Sequence, residues 1–318
     1  MSNNDVAISR LAQAGTPQFT ALEALDQSGD GNNAISVEEI QRLSCSAPPA
    51  GLTSAQVRAL QTTFVNVVDP GVGAGVRLNG CAPSRVLPRS GEIRESNGTA
   101  VRKYLGVGAA FPNLYVTDTS GNDLNTMSRR WASNGARDFF QNVFGVTLTL
   151  REGSDTSNPN AVIAEAHPRI IDTKSFTNNF RTNIDILDGS GQRIGTIRQT
   201  WESVGGSILQ NMVLGRSIWT TYEILDANEQ VLARSAKTEF FGARMNVIGN
   251  DGQPAADLQR NFLQSLVRDR WHFVANDGQQ IDRRVLAFMA AYKTMADIQR
   301  TDAAARSFWG EVIKQLAD

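Results

Sequence analysis

The chain has 318 residues, which at roughly 150 residues per domain predicts about two domains, each large enough to bury a core. Hydrophobic residues make up 41% and charged residues 20%, which excludes a disordered tail, and two cysteines are too few for a disulfide-stapled mini-protein. Lys+Arg 31 against Asp+Glu 32 gives a net charge of -1, so the overall balance favours neither nucleic acid nor an anionic membrane surface.

The first hundred residues read as helical, punctuated by Gly and Pro. Thr16-Pro17 opens a helix with Phe19, Leu22 and Leu25 on one face, because Pro in a first turn forfeits an N–H that had no partner. It ends at Asp26, and a short helix through Ile40 and Leu43 follows the polar stretch from Gln27 to Asn33. Thr53 caps a third helix running to Val68, with Val57, Leu60, Phe64 and Val67 at helical spacing. Residues 82–99, with Pro83, Pro88, Gly91 and Gly98, read as a linker.

From Leu114 onward apolar and polar residues alternate and Asp/Asn/Gly turns recur, interrupted by an expected helical insertion over 123–144. Strands are predicted at 146–150, 161–166, 182–187, 193–200, 218–225, 230–236, 245–248 and 271–275. Turns such as Asp188-Gly189-Ser190-Gly191 and Asp226-Ala227-Asn228-Glu229 supply the positive φ of tight hairpins, so the segment reads as an antiparallel meander. It closes in a helix over 281–298 whose middle, Val285 to Tyr292, is apolar or small on every side, which predicts burial all round. A sheet wrapped around that helix removes its own edges by closing into a barrel. A last amphipathic helix is expected over 302–316. The predicted division is 1–105, helical with a linker, and 106–318, the barrel with its central and terminal helices.

The most informative stretch runs from Asp26 to Glu39. Asp26, Ser28, Asp30 and Asn32 stand at alternate positions, Gly31 sits where a tight loop must turn, and Ile35-Ser36 precede Glu38-Glu39. Hard Ca²⁺ takes six to eight oxygens, and alternating oxygen donors, a glycine turn and a terminal bidentate Glu supply them. The stretch resembles an EF-hand loop, within an EF-hand-like region of residues 17–80. The apolar position comes two residues late, so Ser36 and Glu39 are the expected later ligands if two residues are inserted, and Glu38 replaces Glu39 if one is. The candidate ligands of one Ca²⁺ are therefore Asp26, Ser28, Asp30, Asn32, Ser36 and Glu39. Residues 53–81, with an apolar step at Val76 or Leu78, are the expected metal-free partner. Cys45 and Cys81 match no zinc spacing, and without a basic, apolar leader the chain reads as cytoplasmic, with both thiols reduced in preference to a bridge.

Residues 146–299 resemble the tubby-like fold, in its LURP-one-related and phospholipid-scramblase branch. The resemblance is carried by Ile184-Asp185-Ile186-Leu187-Asp188-Gly189-Ser190-Gly191-Gln192-Arg193-Ile194-Gly195, by Tyr222-Glu223-Ile224-Leu225-Asp226, by Trp271-His272-Phe273-Val274, and by Ile281 to Lys293. It implies a closed antiparallel barrel around a C-terminal hydrophobic helix, giving an expected fold class of α+β: an EF-hand-like helical domain followed by a tubby-like barrel. It also implies a lipid headgroup, such as an anionic lipid or phosphoinositide, as a ligand for arginines among Arg193, Arg198, Arg216, Arg234, Arg244, Arg260, Arg268 and Arg270. The cysteine-rich and proline-rich flanks of animal scramblases are missing.

No Gly-Lys-Ser/Thr loop or Gly-x-Ser-x-Gly elbow occurs, and His167 and His272 read as barrel or loop residues. The expectation is a non-enzymatic, calcium-responsive binding protein whose barrel takes a lipid headgroup, a membrane surface or a protein partner, with no nucleic acid and no transmembrane span. The alternatives are an interaction protein whose calcium site is purely stabilising and, more remotely, a scramblase-like lipid-handling protein.

Overall fold

The computed structural model describes residues 5–68, 87, 90–95, 114–117, 123–129, 147–153, 161–174, 179–200, 221–236, 244–260, 270–276 and 280–294. Residues 5–68 hold β1 (Val6–Ala7), α1 (Ile8–Leu11), α2 (Pro17–Gln27), β2 (Ala34–Ile35), α3 (Val37–Ile40) and α4 (Ser54–Val67). The strands of the main sheet are β3 (Ser90–Glu95), β4 (Leu114–Thr117), β5 (Asp123–Arg129), β6 (Leu148–Glu152), β7 (Val162–Lys174) and β8 (Asn179–Asp188), then β9 (Arg193–Gln199), β10 (Tyr222–Leu225), β11 (Val231–Ser235), β12 (Arg244–Gly249), β13 (Pro254–Arg260) and β14 (Arg270–Ala275). Residues 283–294 form α5.

All pairings in the main sheet are antiparallel; β14 pairs with β3, and β9 with β10, which closes the strands into a barrel. Alternation sorts the side chains. Met245 and Val247 of β12, Leu258 of β13, and Trp271 and Phe273 of β14 point inward and are buried, while His272 and Val274 lie exposed. Inside runs α5, where every residue from Val285 to Ala291 is at most 2% exposed. A helix apolar around its whole circumference needs such a surround.

Asp282 caps α5. Its Oδ1 accepts the Arg284 N–H at 2.9 Å, and its two carboxylate oxygens take Arg284 Nε and Nη2 at 3.0 and 2.7 Å. Arg284 is fully buried, and its remaining donors reach Ile163 O on β7 at 3.1 Å and Thr63 Oγ1 on α4 at 2.8 Å. Arg283 donates from Nε to Asn66 O at 3.0 Å and from Nη2 to Val65 O and Val68 O, so its charge sits on the carbonyl end of α4.

The expected fold class, α+β with an N-terminal helical EF-hand-like domain, is corrected: the described chain is mostly β. Two of the four N-terminal helices span four residues each, and a two-stranded ribbon, β1 with β2, is built into the same unit. Residues 90–95, read as linker, are β3, and residues 123–129, read as the start of a helix, are β5. β13 was not foreseen, because Pro254-Ala255-Ala256-Asp257 lacks strand-forming residues; its pairing with β12 and β14 overrides that local preference. Among the described residues no helix is long and apolar enough to cross a membrane. Residues 295–298 of the expected central helix and all of 302–316 lie outside the described residues.

The hairpin turns expected from Asp-Gly and Asp-Ala-Asn share one device. Asp188 Oδ1 accepts the N–H groups of Ser190 and Gln192, and Asp226 Oδ1 those of Asn228 and Gln230, each at 2.8–3.0 Å. In both, the third residue after the aspartate takes positive φ: 83° at Gly191 and 65° at Glu229.

The packing and its charges predict the outcome of three substitutions. Phe288→Ala should cost about 3–5 kcal/mol by opening a cavity that a closed wall of strands cannot collapse into. Phe288→Asp should prevent folding; an unchanged melting temperature for that variant would contradict the central position of α5. Burial raises the Asp188 carboxyl above its ordinary value, against the opposing hydrogen bonds of Ser190 and Gln192 and the charge of Arg284. Its folded pKa therefore exceeds its unfolded one, so the cost of ionising it in the fold accrues as pH rises from the unfolded value through the folded one. Asp188→Asn, which keeps the acceptor oxygen, should match or exceed the wild type at neutral pH in thermal denaturation, and its relative advantage should vanish in acid.

Candidate cation site

The loop between α2 and α3 leaves the C-terminal end of a capped helix and ends on the N-cap of the next. Thr16 Oγ1 accepts the Phe19 N–H at 3.3 Å to start α2, with Pro17 in the first turn. α2 delivers Asp26, 3% exposed, whose carbonyl accepts Gly29 N–H at 2.9 Å and Gly31 N–H at 3.0 Å. The Asp26 carboxylate reaches across the turn, taking Asn32 N–H on Oδ1 at 3.0 Å and Asn33 N–H on Oδ2 at 3.2 Å. Ser36 then caps α3. Its Oγ accepts Glu39 N–H at 3.2 Å, while Glu39 Oε2 accepts from Ser36 N–H at 2.9 Å and Ser36 Oγ–H at 3.0 Å, a complete capping box.

That leaves Glu39 Oε1. Glu39 is 3% exposed and this oxygen is buried with no hydrogen-bond partner. It lies against Gly29, where a built Cβ would fall 1.8 Å from it, so only a hydrogen at that position leaves room for the carboxylate. Carboxylate oxygens of Asp26, Asp30 and Glu39 lie within 4.8 Å of one another. Two oxygens of one calcium shell are at most about 4.6–5.2 Å apart, twice the Ca–O distance, so the spacing fits a shared hard cation.

Of the six sequence candidates, the structure brings together Asp26, Asp30 and Glu39. Ser28 is exposed and its hydroxyl donates to Leu25 O at 2.7 Å. Asn32 is engaged twice, donating to Asp30 Oδ2 at 2.7 Å and accepting Ala34 N–H at 2.8 Å. Ser36 serves as the cap. Of the two glutamates, Glu39 turns into the cluster and Glu38 is exposed, which corresponds to the two-residue insertion. Ser36-x-x-Glu39 was a legible capping box that the ligand reading absorbed. Among the described residues the strand partner of Ile35 is Val6, from upstream of the loop; Val76 and Leu78, the expected partners, lie outside the described residues.

Other candidates are arranged differently. Arg198 and Arg234 both meet Glu223, Arg244 meets Asp257 and Arg270 meets Glu92 in cross-strand ion pairs on the barrel's outer face, and Arg193 meets Glu229 in the β10–β11 turn. Arg260 is buried over the Trp271 ring, 4.8 Å from its centre. Arg216 and Arg268 lie outside the described residues. His167 pairs with Glu165 at 3.1 Å and His272 with Glu92 at 3.2 Å. Contrary to the reduced-thiol expectation, Cys45 is disulfide-bonded; the sequence's other cysteine, Cys81, lies outside the described residues. A cleft of about 360 Å³ beside α4 is lined by Arg58, Thr62, Ile163 and Arg284. The charge at its Arg284 wall is already met by Asp282.

Gly29→Ala should push the Glu39 carboxylate out of its seat and undo the capping box, lowering stability by about 0.5–2 kcal/mol in chemical denaturation. An unchanged midpoint would show that Glu39 does not depend on the open space at Gly29.

No family model matches the chain, and no curated protein matches it. An X-ray structure of a protein from Arabidopsis thaliana is similar at 12% identity and a TM-score of 0.36, over 71% of this chain and 95% of that one.

Proposed function

We propose that this is a non-enzymatic binding protein whose α2–α3 loop holds one hard divalent cation, calcium, between Asp26, Asp30 and Glu39. The observation that carries the reading is Glu39 Oε1: a buried carboxylate oxygen without a hydrogen bond is costly, and a cation shared with Asp26 and Asp30 offsets that cost. Main-chain carbonyls of the loop and water would complete a shell of six to eight oxygens.

Among the alternatives, a stabilising site fits better than a lipid-sensing one. The capping box ties Glu39 to the start of α3 and the Asp26 carboxylate ties the loop's backbone, so the ion would close a folded turn. The arginines proposed for a headgroup, Arg260 over the Trp271 ring apart, have carboxylate partners where they are described. The disulfide at Cys45 favours an oxidising compartment over the cytoplasm. A site with three carboxylates in such a compartment belongs with the weaker, extracellular class of calcium sites.

Isothermal titration with calcium chloride should give about one site, and the melting temperature should rise with calcium concentration. Asp26→Ala and Glu39→Ala should each weaken binding at least tenfold, whereas Glu38→Ala should leave it unchanged. Absence of binding to the wild type, or equal affinity in the Glu39 variant, would overturn the assignment.

A further inference from the structure

The loop is connected to the barrel through an unbroken series of contacts. Asn33 O accepts the Ile8 N–H at 3.3 Å, and the next two residues, Ala34 and Ile35, pair with Ala7 and Val6. β1 runs directly into α1, whose Ile8 and Leu11 share a core with Leu22, Ile35 and Ile40. The backbone of α1 and the residues after it is then taken by two barrel turns. Gln192 Nε2 donates to Leu11 O at 2.9 Å; Asn228 Nδ2 donates to Ser9 O at 2.8 Å and Ala12 O at 3.3 Å, and Asn228 Oδ1 accepts the Ala14 N–H at 2.8 Å. Gln280, just before α5, donates to Asp5 O at 2.7 Å. Gln192 and Asn228 are the residues whose own N–H groups are fixed by Asp188 and Asp226.

We infer that the cation at Asp26, Asp30 and Glu39 sets how firmly α1 docks on the β8–β9 and β10–β11 turns, making those turns a second, barrel-side readout of the loop. The inference rests on the cation reading above. Three carboxylates held within 4.8 Å repel one another without a cation, and the strain falls on the segment that Asp26 holds by its N–H groups, Asn32 and Asn33. That segment leads into β2, so loosening it loosens β1, and β1 positions α1. A cation reverses the sign of the interaction. Coupling is reciprocal: whatever factor the cation adds to docking, docking adds to cation affinity.

Hydrogen exchange on the full chain, with calcium and with EDTA, tests this. Calcium should slow the amides of Asp188, Gly191 and Asp226, which close the two turns, by roughly 5- to 150-fold, the usual range for coupled sites. The Gly252 amide, in the β12–β13 turn, should be unaffected. Gln192→Ala with Asn228→Ala should keep calcium-dependent slowing at Asn32 and Asn33, lose it at the two barrel turns, and bind calcium more weakly by the same factor. Asn228→Ser provides the comparison if the double variant does not fold. Binding by calorimetry with slowing confined to 26–39 would overturn the coupling and leave the cation site standing, as would equal slowing at Gly252. No calcium binding at all would remove both.

Discussion

The structure depends on one constraint: the middle of α5, Val285 to Ala291, has no polar side. From Val285 to Ala291 each residue is almost fully buried, and an all-apolar helix in water has to be enclosed. Antiparallel strands with alternating inward residues can enclose it only by meeting themselves, and closure also satisfies the edge hydrogen bonds that an open sheet would leave. The pleat then decides which residues serve the helix. Trp271 and Phe273 face in, and Trp271 spends its N–H on Thr294 at 2.9 Å within the same interior.

Where α5 begins, the barrel must accept polar backbone into its mouth, and Asp282, Arg283 and Arg284 solve this together. A buried ion pair alone is weak evidence for stability, since both charges lose their water. Here, however, the guanidinium of Arg284 also satisfies a β7 carbonyl and an α4 hydroxyl, and Arg283 covers the carbonyl end of α4. The pair thus acts as a joint between the barrel and residues 5–68 more than as a source of attraction. Another element of the same N-terminal unit, α1, is held by Gln192 and Asn228, so the α2–α3 loop lies in a body fixed to the barrel by two sets of polar contacts.

Legibility in the sequence tracked how locally each feature is determined. α2 and α4 were readable because Thr16-Pro17 and Thr53 mark their starts and apolar spacing marks their faces. The two Asp turns were readable because aspartate builds the turn from its own neighbours. β3, β5 and β13 were not. Ser90-Gly91-Glu92 and Pro254-Ala255-Ala256 carry no strand preference, and they are strands because the barrel needs neighbours for β14, β4 and β12. The linker reading of residues 90–95 missed β3 for the same reason: a residue's place in a closed sheet is set by partners far away in sequence.

In the α2–α3 loop, the residue types that would ligate a cation also serve the fold. Asp26 oxygens hold Asn32 and Asn33, Ser36 caps α3, Asn32 ties Asp30 to Ala34, and each of these would be present in a metal-free turn. Glu39 is different because its two oxygens have unequal surroundings. Oε2 completes the capping box and explains why a glutamate stands three residues after Ser36; Oε1 has no such task. A glutamine would cap as well without burying a charge, so capping alone does not account for a carboxylate here. The cost of burying that charge among two other carboxylates is what a cation would remove, and the open space over Gly29 keeps the oxygen in the cluster to meet it.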